Sequence, residues 1–351
     1  MDLFPQVSPD GPSISRQESC SFCGSHEGLE VSKIQYWDLH SASLVYCKAC
    51  SFFQLDPKLN LDDTEKGVIA YHRREQQAES NHENFRNKVR NFRKGLMLGY
   101  QLSRKYLKIE SILEVGPGSG YFLAGLKRVY PKAEITVFDI SQDILDFCQS
   151  EHGFNSIKGV FDEPLHIESG PYDLIIARDI LEHVNRPNIF LDNVAHNLKP
   201  SGIFQFLTPN GFEDSWTHRV HHFRTKMPSS LLINHVNYFS GAILLKELKK
   251  RGLTPLEFFT FGLKGCLKGK GRSTAERWDQ SQPLLEVSQF SEVSLPTRID
   301  RVRADQLSYL KHLPLWMTYF ICLWHHHSWL RLSPLKNRGH EISGLFVKSE
   351  I

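Results

Sequence analysis

Between residues 111 and 262, short apolar runs alternate with stretches whose apolar positions recur every three to four residues. The runs SILEVG, EITVFDI, SIKGVF, YDLIIARD, GIFQFLTP and PLEFFTF predict strands, and helices are predicted up to Val129 and from Ser141, Pro187 and Ser240. That order of elements predicts an α/β fold: a doubly wound, mostly parallel sheet with helices on both faces. GHEISGLFVK, residues 339–348, predicts a closing antiparallel strand. An insertion over 263–338 is predicted to separate it from its hairpin partner. Within the insertion, Pro314 suits the first turn of a helix, and Trp316, Phe320 and Trp324 recur every four residues. Such a stripe serves as core, lid or dimer packing, or as a peripheral membrane contact through 313–330.

Ahead of this domain the pattern changes. Residues 1–15, rich in Pro, Ser and Gly, read as a flexible leader. In 16–56, VSKIQYWDLHSASLVY alternates as two short strands with a turn near His40 to Ser43. Residues 57–110 read as a helical connector, with Phe85, Val89, Phe92 and Leu96 forming one amphipathic stripe. From Arg86 to Lys108 this connector holds eight basic residues and no acidic one. The run could meet phosphates of a nucleotide-linked substrate, RNA or an anionic membrane; a solvated helix face is the plainer reading.

Composition narrows the choice. The 351 residues carry 42 Lys plus Arg against 39 Asp plus Glu, a net charge of +3, too balanced to imply nucleic-acid binding from the total. No apolar run is long enough for a transmembrane span. The N-terminus lacks the basic and apolar regions of a secretory signal, so a cytoplasmic location is expected.

Cys20, Cys23, Cys47 and Cys50 form two C-x2-C pairs separated by 23 residues. Each pair aims two thiolates at one point, and four such sulfurs suit a tetrahedral zinc ion. Gly24 follows the first pair where a knuckle turn favours positive φ, and Ser51 holds the equivalent place after the second. The spacing predicts a zinc ribbon with a structural metal, because four thiolates leave no open coordination position. Cys148, Cys266 and Cys322 read as buried apolar residues.

The chemistry of the larger domain starts at Glu114-Val115-Gly116-Pro117-Gly118-Ser119-Gly120. Glycines after a first strand let the backbone approach a ligand and open the next helix toward it. The third glycine of the dinucleotide fingerprint is missing, however, and Glu114 would repel a pyrophosphate while attracting an amine or sulfonium. Asp139, ending the second strand, is placed to accept both hydroxyls of a ribose. Together these favour S-adenosylmethionine (SAM) as cofactor. With DLIIARDILEHV and LKPSGIFQFLTPN, these motifs resemble class I SAM-dependent methyltransferases over residues 111 to about 260. The resemblance implies a seven-stranded, Rossmann-like methyltransferase sheet over 111–351. It also implies that Gly116, Gly118 and Gly120 line the methionine moiety, Glu114 holds its amino end, Asp139 the ribose and Asp162 the adenine amino group. Ile140 and Arg178 are assigned to the same pocket.

On the acceptor side, Asp179, Glu182 and His183 share a face if their turn is helical. His183 could then remove a proton, or the three could gather a divalent cation. The segment resembles the ExxEH element of ubiquinone-pathway O-methyltransferases, with Asp179 in place of the first Glu; in other methyltransferases the same LEHV residues stabilise the loop. His235 in HVNYFS is a second candidate base, or a cap for the following helix. Trp216, His218, His221 and His222 fall in the segment expected to cover the strand ends. The absence of an Asn/Asp-Pro-Pro-aromatic motif counts against methylation of a nucleobase or amide nitrogen. The reading is therefore methyl transfer to an oxygen or carbon of a small molecule, preferably a sugar or nucleotide-sugar, since the N-terminal four-cysteine module resembles that of bacterial sugar and polysaccharide-pathway enzymes. An RNA methyltransferase gripping RNA with Lys33, Tyr36, Trp37 and the basic helix, and a non-catalytic SAM-binding scaffold, are the alternatives.

Overall fold

The computed structural model describes residues 13–15, 19–36, 41–58, 82–104, 108–211, 229–231, 235–261 and 341–349. The insertion at 263–338, its aromatic stripe, and Trp37, Trp216, His218, His221 and His222 lie outside the described residues.

The N-terminal sheet contains β1 (Ser13–Ser15), β2 (Glu27–Tyr36), β3 (Ser41–Cys47) and β4 (Phe53–Asp56). β2, β3 and β4 form an antiparallel meander, and β1 pairs with the start of β2. Three expectations need correction. Ser13–Ser15, placed in the leader, form an edge strand. Ser41 to Ser43, placed in the turn, already pair with Gln35 to Lys33, where the Ser43 hydroxyl donates to Glu30 Oε2 at 2.6 Å. The sheet also does not end at residue 56: two later strands complete it. β10 (Ser229–Leu231) runs parallel to β2, and β11 (Asn237–Tyr238) pairs antiparallel with β4. The physical reason is that β4 would otherwise be an unpaired edge beside an apolar face. Ile34, Leu44, Leu55, Val236 and Tyr238 pack into one cluster instead.

Helix α1 (His82–Ser103) buries Phe92 and Leu96 of the predicted stripe and half-buries Val89, while the Phe85 side chain lies outside those described. It crosses α2 (Tyr121–Lys127) at two glycines. A Cβ on Gly95 would stand 1.8 Å from Phe122 O, and one on Gly125 2.0 Å from Phe92 O, so only glycine permits this approach of backbones.

The larger sheet is built from β5 (Ser111–Val115), β6 (Glu134–Asp139), β7 (Asn155–Lys158), β8 (Tyr172–Arg178), β9 (Leu198–Pro209), β12 (Leu253–Phe261) and β13 (Glu341–Lys348). Its order is β12-β13-β9-β8-β5-β6-β7, parallel except around β13, which runs antiparallel to both neighbours as the sequence predicts. Helices α3 (Gln142–His152), α4 (Pro187–Asn197) and α5 (Gly241–Lys250) complete the alternation. The central strands are apolar on both sides: Ile112, Leu113, Leu174, Ile175 and Ile176 are fully buried, as a sheet covered on both faces requires. The carboxyl ends of β5, β6 and β8 consequently share one edge, where such sheets bind ligands.

Candidate cofactor and acceptor site

Gly116, Gly118 and Gly120 all adopt positive φ, 67°, 54° and 69°, so the loop leaving β5 is a left-handed turn closed to residues with side chains. The close neighbours are equally restrictive. A Cβ on Gly116 would meet Ile180 Cδ1 at 2.0 Å, and one on Gly120 would meet His152 Cδ2 at 2.7 Å. His152 Nε2 donates to Ser119 O at 2.9 Å and Cys148 Sγ lies 3.5 Å from Gly118 O, so α3 supports the loop from behind. Cys148 is fully buried, as expected; Cys266 and Cys322 are outside the described residues.

Two acids flank this loop. Glu114 is 2% exposed, its Oε2 has no hydrogen-bond partner among the described residues, and burial pushes its carboxyl up to about 8 despite the opposing pull of Arg178. A buried carboxylate oxygen left without a donor is costly unless a ligand supplies one. Asp139 is buried and pushed up to about 6 by desolvation, although the backbone N–H groups of Ser141, at 2.8 Å, and Ile140 partly offset this. Arg178 stacks its guanidinium 4.0 Å from the Phe122 ring centroid. These residues fit an adenosine cofactor with a cationic amine: a glycine cradle, a buried acid lacking a donor, and a second acid one strand away.

Asp162 is also buried. Its Oδ2 accepts the Arg186 backbone N–H at 2.8 Å, fixing the start of α4. Asn193 adds hydrogen bonds to Phe161 O and Glu163 O, each 2.7 Å, so the whole 161–163 turn is held against α4.

The acceptor-side residues are arranged differently from the helical turn expected. Asp179 is exposed with φ 56°, and the segment after β8 is a turn, not a helix. The i, i+3, i+4 geometry therefore does not form, and Asp179 is not among the ligand-bearing groups that converge. Glu182, His183 and His235 do converge, with potential ligand atoms within 4.8 Å of one another. This corrects the Asp179, Glu182 and His183 set. The two imidazole rings lie 4.9 Å apart, and Glu182 Oε1 is 3.9 Å from His183 Nε2. Glu182 is 2% exposed; burial pushes it up to about 8, with His235 pulling it down and Asp179 adding to the rise. Thr208 Oγ1 donates to Glu182 Oε2 at 2.9 Å. His235 does not cap α5, because the Ser240 side chain accepts from Ile243 N at that position.

Three contributors escaped the sequence reading. Thr208 ends a strand in an unremarkable Thr-Pro-Asn, Ile180 lies over Gly116, and the Asn237 amide binds both Leu181 O and Val184 O. Their signal was positional: each lies within a few residues of a motif already singled out.

The four cysteines also converge. Cys20 and Cys50 sulfurs lie 3.4 Å apart, as do those of Cys23 and Cys47, and all four fall within 4.8 Å of one another. These separations far exceed the S–S bond length of about 2.05 Å and resemble the roughly 3.8 Å edge of a tetrahedron with metal–sulfur bonds of about 2.3 Å. Gly24 and Ser51 both take positive φ, 70° and 63°, and their N–H groups donate to Cys20 O and Cys47 O at 2.9 Å each. Two matching knuckles are thus present.

A family model described as a methyltransferase domain matches residues 71–257, more than half of the chain. The chain belongs to the class I SAM-dependent methyltransferase family. Among curated relatives, the family member is 34% identical over 112 residues to malonyl-[acyl-carrier protein] O-methyltransferase of Priestia megaterium, covering 31% of this chain and 40% of that protein. It is 30% identical over 112 residues to ubiquinone biosynthesis O-methyltransferase of Xylella fastidiosa, covering 30% and 44%. The methyltransferase thus spans less than half the length of these relatives. Among solved structures, the plantazolicin methyltransferase BpumL with S-adenosylhomocysteine (SAH) aligns at TM-score 0.44 and 16% identity, covering 78% of this chain and 90% of that one.

Proposed function

We propose that this methyltransferase moves the methyl group of SAM to an oxygen of a small-molecule acceptor. The observation that carries the reading is the buried Glu114 oxygen, without a donor among the described residues, beside the glycine turn at the same sheet edge that presents Glu182, His183 and His235. When bound, SAM supplies an electrophilic methyl on a sulfonium. The chain's own residues do the rest. Glu114 holds the amine end against the Gly116–Gly120 turn, Asp139 accepts the ribose hydroxyls, and Ile140 and Arg178 border the pocket. Asp162 borders the adenine end, where its second oxygen is available to the adenine amino group. An acceptor hydroxyl beside His183 and His235 would lose its proton to an imidazole as its oxygen bonds the methyl carbon and the carbon–sulfur bond breaks, SAH leaving as the neutral thioether. Glu182, held by Thr208, orients that imidazole. Rate acceleration comes chiefly from alignment.

The convergence of Glu182, His183 and His235 also supports a second reading of the same group, as ligands for a divalent cation that acidifies the hydroxyl. Cys20, Cys23, Cys47 and Cys50 hold a structural zinc. The similarity to O-methyltransferases favours oxygen over carbon, and a sugar or nucleotide-sugar is the preferred acceptor on the resemblance of the four-cysteine module. Transfer of labelled methyl from SAM into a fractionated lysate tests this. Label in ribonuclease-resistant small molecules or glycans is expected; label lost on ribonuclease treatment would make the product RNA and overturn the acceptor assignment. Binding of SAH without any transfer would instead establish a scaffold.

A further inference from the structure

The four-cysteine sheet is tied to the acceptor side of the site in three ways, the first through backbone. The Leu55 N–H on β4 donates to Val236 O at 3.0 Å, and Phe53 and Gln54 pair with Tyr238 and Asn237. The Val236 and Asn237 N–H groups in turn donate to Glu182 O at 2.8 and 3.0 Å. The segment carrying His235 is therefore clamped between β4 and the turn carrying Glu182 and His183. A second tie is Lys58 Nζ, which donates to Ser21 Oγ in the first knuckle at 2.6 Å and to Asn185 O just after the turn at 2.5 Å. A third is apolar. Phe22, between Cys20 and Cys23, packs edge-on to Phe52 at 4.8 Å, and Phe52 lies 5.4 Å from Phe239. Cys20, Cys47 and Phe52 share a buried cluster with Leu181 and Phe239.

The cofactor side is backed on its two faces by different clusters. Leu123, Val137, Leu145 and Cys148, behind the glycine turn and the second strand, pack into a cluster that contains no residue of the four-cysteine sheet, whereas Leu113, Val115 and Phe138 on the other face share the cluster of Cys20, Cys47 and Phe52.

We propose that the metal-bound ribbon is a positioning element for the acceptor half of the site. With metal in the knuckles, β4 holds β11, and β11 holds the Glu182–His183–His235 group in register; without it that group disperses while the cofactor pocket persists. This rests on the assignment of the three residues to acceptor chemistry, but the structural coupling can be measured independently of any acceptor. The physical basis is that a segment this small depends on its metal for folding, whereas the face of the parallel sheet covered by α2 and α3 has a core without ribbon residues.

The experiment compares the full-length zinc-loaded protein, the same protein after chelation, and Cys47→Ser, using hydrogen exchange and SAH calorimetry. The expected result is that the amides of Leu55, Val236 and Asn237 exchange at least about tenfold faster without metal, while those of Leu123, Leu126 and Leu145, in the cluster behind the glycine turn, are unchanged. SAH affinity should stay within about twofold. Re-adding zinc to the chelated protein should restore protection. Unchanged exchange at Val236 and Asn237, or equal acceleration across both halves, would overturn the proposal. Lys58→Met serves where Cys47→Ser fails to fold: it keeps the four sulfurs, and should retain zinc while loosening the amides of residues 182–186. Tight protection there would also count against the coupling. Failure to find an acceptor would leave these readouts intact, so the two claims fail separately.

Discussion

Replacing Glu114 by Gln removes one charge from a buried site while keeping its size, and its consequences can be worked through from pH. Burial pushes Glu114 up to about 8, so at pH 7 roughly nine in ten ligand-free molecules hold it protonated. An amine ligand needs the ionised form, so binding at pH 7 should release close to one proton. Asp139, at about 6, is mostly ionised at that pH and adds little. Ionising Glu114 costs about 1.4 kcal/mol at pH 7 and about twice that at pH 6, against a gain of about 1.5–3 kcal/mol for a charged hydrogen bond. Wild-type affinity for SAH should therefore rise about tenfold from pH 6 to 7 and about fivefold from pH 7 to 8, whereas Glu114→Gln should show a much flatter dependence and no proton release near pH 7. The two proteins should bind comparably near pH 6 and differ by roughly ten- to a hundredfold near pH 8. Calorimetry in buffers of different ionisation enthalpy measures both quantities. Proton release by the variant equal to that of wild type, or wild-type affinity independent of pH, would refute the pairing of Glu114 with the amine.

Other expectations follow from the same structure. Because Glu114 and Glu182 are raised to about 8, the ligand-free fold holds protons that the unfolded chain releases. Its stability should fall as pH rises from the ordinary carboxylate range toward 8, and SAH should flatten that fall in thermal melts. Asp139→Ala should abolish SAH binding without unfolding the protein; unchanged affinity would reject the ribose assignment. Gly95→Ala must displace the Phe122 backbone and should cost about 1–3 kcal/mol in denaturant titrations, so a neutral effect would contradict the close crossing of α1 and α2. His183→Asn should lower methyl transfer at saturating SAM while leaving SAH affinity unchanged, and a parallel loss of binding would move His183 out of the acceptor role.

Much of this was legible because local chemistry dictates it. The glycine turn, the acids ending β5 and β6, and the knuckles at Gly24 and Ser51 each follow from a residue type that one backbone shape demands. The mostly parallel direction of the sheet followed from alternating strands and helices. What stayed hidden was long-range pairing. Nothing in HVNYFS announces that Asn237 and Tyr238 will pair with β4, since a two-residue strand has no periodicity to read. Spacing likewise suggested Asp179 as a partner for Glu182 and His183, because it assumed a helix where Asp179 takes a positive φ. His235, remote in sequence, takes that place through the backbone contacts of Val236 and Asn237 with Glu182.

The most direct test of the central claim is a crystal structure of the zinc-loaded protein with SAH bound. The account predicts the ligand's amine at Glu114 Oε2, its ribose hydroxyls at Asp139, and its sulfur facing the side where Glu182, His183 and His235 meet. A ligand with its amine away from Glu114, or with its sulfur directed away from that group, would contradict it.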